Sequence, residues 1–250
     1  MASVISGNRI DPGAVAPTVE SSSAVRLLPL VLSLTAGSVD VISFLGLGGL
    51  FIAHITGNLV ILATHMVTGR AAPLGHMLSI PVFVAVLALS RLLAAGLEET
   101  PCRSLRPLLA LQFVLLAGFT AICVVQRAGL DPASLTTIVA GMLGVSAMAV
   151  QNALVQTSLV GVPATTVMTT DITIFVMDIG TILLSDDADK VAFARNRAAR
   201  TWPPIVGFTA GSSLGALLHA VMGPWSLVLP TAFALLALAL GFSVDRATRR

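Results

Sequence analysis

Three aspartates stand inside stretches of sequence that are otherwise almost wholly apolar: Asp40, Asp171 and Asp178. An ionised carboxylate at the centre of a bilayer costs at least about 2.5–3.5 kcal/mol on insertion scales, so it is retained where it faces a partner, an ion or a wet cavity. Asp171 and Asp178 are seven residues apart, which on a helix puts them on one face two turns from each other. Two polar triplets accompany the acids, Thr56-Gly57-Asn58 and Thr169-Thr170-Asp171. Small, hydroxylic or helix-weakening residues in the middle of an apolar helix loosen a turn, free backbone carbonyls and offer ligands to ions and polar solutes. Gln151 and Asn152 add a carboxamide pair, with Gln112 and Gln156 as further amides. The chemistry on offer is binding and proton exchange. Asp40, Thr56, Gly57, Asn58, Gln151, Asn152, Thr169, Thr170, Asp171 and Asp178 form the candidate substrate or ion site, and His54 is the candidate proton relay. A plainer reading stands beside it, in which these groups only hydrogen-bond neighbouring helices at about 0.6 kcal/mol each.

Other chemistries find little support. A metal site needs three or four convergent ligands, and His54, His65, His76 and His219 show no i, i+3 or i+4 spacing. Cys102 and Cys123 fit no metal motif and read as packing residues. Gly211-Ser212-Ser213-Leu214-Gly215 satisfies G-x-S-x-G, but that motif works on a strand-to-helix elbow with a base in reach, and here it lies in an apolar helix. Gly207, Gly211 and Gly215 make two overlapping G-x-x-x-G units instead, a pattern that lets a second helix approach closely. No G-x-x-x-x-G-K-[ST] occurs, so ATP-driven pumping is not expected. We expect no catalytic residue, no cofactor, no metal and no enzyme.

The elements that carry these residues are membrane helices. Of 250 residues, 56% are hydrophobic and 10% charged, and mean hydropathy is +0.95, whereas soluble domains carry about 25% charged residues. Runs of about 20 apolar residues, the length that crosses a bilayer as helix, fall at 27–47, 51–69, 78–97, 106–126, 135–155, 163–184, 203–222 and 225–243. The fold class is therefore all-α, a polytopic transmembrane helical bundle of six to eight hydrophobic segments. Residues 1–25 read as a disordered polar tail without a cleavable signal, 26–245 as one transmembrane domain, and 246–250 as a basic cytoplasmic tail. The long loop 185–200 runs from acidic to basic and suggests a short helix at the membrane surface. Trp202 and Trp225 read as interfacial anchors.

The segments divide into two groups of four, 27–126 and 135–243. Asp40 precedes Asn58 by 18 residues and Asn152 precedes Asp171 by 19, an internal match of the kind left by duplication in transporters. With eight crossings and the N-terminus inside, the 14 basic residues split 11 inside to 3 outside; if segments two and six are re-entrant, the split is 12 to 2. Both counts place the two tails in the cytoplasm, and neither chooses between them. The basic residues form no stripe interleaved with aromatics, so nucleic acid is not an expected partner.

The stretch Thr35 to Asp40 through Phe44, followed by Phe51-Ile52-Ala53-His54-Ile55-Thr56-Gly57-Asn58, resembles the opening signature of the YoaK, or DUF1275, family of bacterial membrane proteins. Gln151-Asn152 and Thr169-Thr170-Asp171 resemble its second-half motifs, although a threonine-glycine pair is common there and the glycine is missing here. The resemblance implies a multi-pass inner-membrane protein with about six crossings and leaves the biochemistry open. The expectation is a secondary transporter or channel for a small molecule or ion with a midplane polar site; the alternative is a non-transporting sensor or scaffold. Expected partners are the lipid bilayer, that solute, and a second copy of the chain in a homo-oligomer.

Overall fold

The computed structural model describes residues 23–69, 71–96, 101–126, 131–159, 165–166 and 168–248. The expected disordered tail lies outside the described residues up to position 22, as do the last two residues, the turn at Gly129 and the Gly161–Pro163 turn. Eight α-helices follow in order: α1 Ser23–Gly46, α2 Ile55–Thr68, α3 Leu74–Gly96, α4 Pro101–Val125, α5 Leu135–Ser158, α6 Met168–Leu184, α7 Ala188–Met222 and α8 Val228–Thr248, with a 3-10 turn, Gly223–Leu227, between the last two. No strand occurs among the described residues. Helix closes every backbone hydrogen bond within the segment, the condition that lipid imposes.

Stretches in α1, α3, α4 and α5 are long and apolar enough to cross a membrane, as is the 56-residue stretch Ala188–Ser243 that holds α7 and α8. Counting α7 and α8 separately, six helices lie in stretches long and apolar enough to cross. α2, of 14 residues, is about 21 Å long, and α6, of 17, about 26 Å; both fall short of the roughly 30 Å hydrocarbon core.

Contacts between helix ends sort the molecule into two sides. Gly207, Gly211 and Gly215 of α7 meet Leu30, Leu34 and Ser38 of α1 in the same order, so these two helices run parallel. Ser104 at the start of α4 bonds Ser158 at the end of α5, and Arg106 bonds the carbonyl of Phe242 near the end of α8. These ends, with the start of α1, form what we term the tail side. At the opposite, far side, Leu47 and Leu50 just past α1 share one small cleft with Pro73 just before α3, Gly75 and His76 of α3, Pro132 just before α5 and Thr137 of α5. Thr120 late in α4 bonds Thr231 early in α8 there.

This ordering bears on the topology left open by charge counting. α1 ends at the far side and α3 begins at the far side, so the intervening residues 47–68 enter and leave by the same face. α5 ends at the tail side, where Gly207 of α7 meets Leu30 of α1, and α6 runs beside α7, tied to it by Asp178 and Arg197. This arrangement fits the reading in which segments two and six do not cross.

The duplication is visible in the packing. α1 packs on α7 and α8, while α5 packs on α3 and α4; α2 lies on α3 and α6 on α7; α4 meets α8. Exchanging α1 with α5, α2 with α6, α3 with α7 and α4 with α8 maps α1·α7 onto α5·α3, α1·α8 onto α5·α4 and α2·α3 onto α6·α7, and α4·α8 onto itself. Each group of four then holds three helices long enough to cross and one short helix.

α1, α3 and α4 begin four to five residues before the expected segments, and three further boundaries differ where the polar residues lie. α2 begins at Ile55 rather than 51, because the chain leaves the helix at a turn through Gly48 and Gly49, whose φ values of 66° and 84° favour glycine. α6 begins at Met168 rather than 163. The long loop is three residues rather than sixteen, since Asp187 caps α7 through the amides of Asp189 and Lys190 and the helix then runs 35 residues through Pro203 and Pro204. Lys190 bonds the exposed Asp187 carboxylate and holds it below the usual carboxylate range.

Candidate functional site

Asp40 lies on α1, six residues before its far-side end, and is 4% exposed. Its Oδ1 accepts from the amides of Ile52 at 2.8 Å and Ala53 at 2.7 Å, with His54 more distant at 3.4 Å. Its Oδ2 lies 2.7 Å from His54 Nδ1. The α1 carbonyls of Ser43 and Phe44 accept from Leu47 and Gly49, but the non-helical arm 51–54 carries amides beyond the reach of that ladder, and in lipid each unmet group would cost several kcal/mol. Asp40 meets two of them well. Asn58, the fourth residue of α2, meets both groups of Phe51, accepting from its amide at 3.0 Å and donating to its carbonyl at 2.7 Å. It also donates to Ser79 of α3 at 2.9 Å. The His54 ring meets Phe51 and Phe208 edge-on, with centroids 6.5 and 5.2 Å away.

The tail-side arm is anchored by amides. Gln112 of α4 donates to Gln151 Oε1 at 2.7 Å, and Gln151 donates to the Leu32 carbonyl of α1 at 3.0 Å and to Thr165 at 2.9 Å. Thr166 donates to Asn152 Oδ1 at 2.7 Å. Asp171, the fourth residue of α6, is 3% exposed, and its Oδ2 has no hydrogen-bond partner. Asp178, fully buried two turns on, accepts Arg197 Nε on both oxygens at 2.9 and 3.0 Å, a forked pair that ties α6 to α7.

The expected residues therefore gather into two sites instead of one. Asp40, His54 and Asn58 hold the far-side arm; Gln151 and Asn152 hold the tail-side arm. Leu32, which Gln151 touches, is eight residues, about 12 Å, along α1 from Asp40. The buried side chains of Ala36, Val39, Val145, Ala147 and Met148 belong to one apolar cluster that fills the centre of the bundle. The two sets bond different segments, Asp40 and Asn58 the residues 51–53, and Gln151 and Asn152 the Leu32 carbonyl, Thr165 and Thr166. Thr56, Thr169 and Thr170 are exposed on the half-helices, and Gly57 lies under the Phe51 ring, leaving no room for a Cβ. Asp178 serves an ion pair with a partner the sequence put in a loop. Ser79, Thr165, Thr166 and Phe208 were not singled out in the sequence; for the two threonines, adjacency to the carboxamide pair in the duplicate register was the available signal.

Gly207, Gly211 and Gly215 do pack a helix, as expected. A Cβ on Gly207 would stand 2.7 Å from the Leu30 carbonyl oxygen and one on Gly215 2.9 Å from that of Ser38. The Ser213 hydroxyl is spent on the Thr209 carbonyl of its own helix. No group of three or more potential metal ligands occurs among the described residues.

Between α3 and α5 on the tail side a groove of about 500 Å3 is lined by Val84, Leu87, Ala88, Arg91, Ala153, Gln156 and Thr157. Gln156 is four residues beyond Asn152, hence on the same face one turn away. The groove thus leads along α5 toward the tail-side anchor.

An all-helical bundle whose long helices are apolar enough to cross a bilayer is that of a multi-pass helical membrane protein. The family model described as "Protein of unknown function (DUF1275)" matches residues 28–240, and the chain belongs to that family. No curated protein and no solved structure matches it.

Proposed function

We propose that the protein is a secondary transporter for a small polar molecule or ion in a bacterial cytoplasmic membrane, with both termini cytoplasmic and no catalytic step of its own. The observation that carries this reading is the pair of short helices, α2 and α6, each preceded by non-helical residues docked on a polar side chain of the long helix before it, Ile52 and Ala53 on Asp40 and Thr166 on Asn152. Non-helical backbone at membrane depth is tolerated where it is buried in protein or lines a water-filled cavity, and inverted halves would supply two equivalent ways of opening, one to each side. The tail-side groove lies between α3 and α5, while the equivalent pair α1 and α7 pack closely through Gly207, Gly211 and Gly215.

The test uses an impermeant thiol reagent on two single-cysteine variants in a background lacking Cys102 and Cys123. Gln156→Cys should react from the tail side, and Val41→Cys, the counterpart of Ala153 in the other half, from the far side. Labelling of Gln156→Cys alone would contradict alternation. It would favour the second reading, a non-transporting sensor or scaffold, which the apolar centre separating the two anchors also fits.

A further inference from the structure

We infer that Asp171 is a proton-binding site, and that the coupling ion of the proposed transporter is the proton carried there. This rests on the transporter reading for its role but not for its chemistry. Three aspartates are buried in the bundle, and the groups around them differ in kind. Asp40 receives backbone amides and the His54 ring; Asp178 receives the Arg197 fork. Both are surrounded by donors, as an ionised carboxylate requires. Asp171 Oδ2 is buried with no donor at all.

The first half of the chain shows what its position demands. Asn58 and Asp171 are each the fourth residue of a short helix, and each is buried there. Asn58 uses both faces of its carboxamide, accepting from one backbone amide and donating to one backbone carbonyl. An ionised carboxylate cannot donate; a protonated one can, and it has nearly the shape of the amide. The position thus takes aspartate as the acid, and loss of the proton leaves charge on a carboxylate whose buried Oδ2 has no donor.

The charged groups on the elements packed here do not supply one. On α6, Asp178 lies two turns away and is committed to Arg197. α7 runs antiparallel to α6, so the level of Asp171 corresponds to about Pro204. The buried stripe of α7 near that level is Ala198, Thr201 and Pro204, all neutral, while Arg195 and Arg200 are exposed and Lys190 pairs with Asp187.

The test is infrared spectroscopy of the full-length protein in lipid vesicles across a pH series, with thermal unfolding on the same samples. We expect a protonated-carboxyl band that vanishes as pH rises, is missing in Asp171→Asn and persists in Asp40→Asn. The thermal midpoint of the natural protein should fall over the pH range in which the band is lost, and that of Asp171→Asn should stay flat, since asparagine is what the other half already uses. A band that survives in Asp171→Asn, or no such band in the natural protein, overturns the inference. So does a midpoint raised at alkaline pH by sodium chloride and not by choline chloride, which would make the ligand a metal cation. Because these readouts need no solute flux, the proton site can stand while alternation fails, or fall while alternation holds.

Discussion

Asp40 illustrates how a charge is kept in a bilayer by giving it structural work. Its carboxylate replaces helix carbonyls as acceptor for the arm, so removing the charge removes a cap on two buried amides. Asp40→Asn retains one acceptor oxygen and brings an NH2 group toward backbone donors. We expect a loss of roughly 2–3 kcal/mol, the scale of hydrogen bonds to a charged group, read as earlier unfolding and as faster hydrogen exchange at residues 52–54. Unchanged exchange there would show that the arm holds without the carboxylate. The Asp178–Arg197 pair makes a separate demand. Arg197→Ala leaves a fully buried carboxylate alone and should destabilise by about 3 kcal/mol, the low end for such a deletion because Arg197 is half-exposed. Asp178→Asn combined with Arg197→Gln should recover much of that loss in the same unfolding experiment. The acids were legible in the sequence because an aspartate in an apolar run stands out. Their partners were not, since backbone amides carry no sequence signal and Arg197 lay in a stretch whose charge pattern reads as a surface loop.

At the scale of elements, the long crossing helices were plain from hydropathy, and the glycine stripe 207–211–215 announced a close helix contact. Gly211→Leu should separate α1 from α7, because even a Cβ there collides with the Leu34 backbone. Overpacking of this kind costs typically 1–3 kcal/mol. The cost should appear as a lower unfolding midpoint, while Gly180→Ala, with nothing near its Cβ, should be nearly silent. A midpoint for Gly211→Leu equal to that of the natural protein would show that α1 and α7 do not meet there. The non-helical arms before α2 and α6 were harder to read. Residues 50–54 are as apolar as the helix after them, and hydropathy does not distinguish extended backbone from helix. Only the side chains that satisfy that backbone reveal the difference, and they lie 7 to 14 residues away along the chain.

For the whole molecule, the duplicate spacing in the sequence pointed to two related halves but suggested one shared site. Inversion separates what a parallel duplication would bring together. Three crossings per half would reverse the second copy, placing Asp40 and Asn152 near opposite faces and bringing the arms in from opposite sides. The exchange of acid and amide between the halves, Asp40 with Asn58 and Asn152 with Asp171, gives each arm one carboxylate in a different place. The central claim is this inverted arrangement, and the connection between α2 and α3 tests it most directly. Ala71 is exposed in that connection. With the native cysteines replaced, Ala71→Cys should react with an impermeant thiol reagent applied to the face opposite the termini, while Asp186→Cys reacts only from the face that carries them. Reaction of Ala71→Cys only from the face of the termini would mean that α2 crosses, that the halves are parallel, and that the account is wrong.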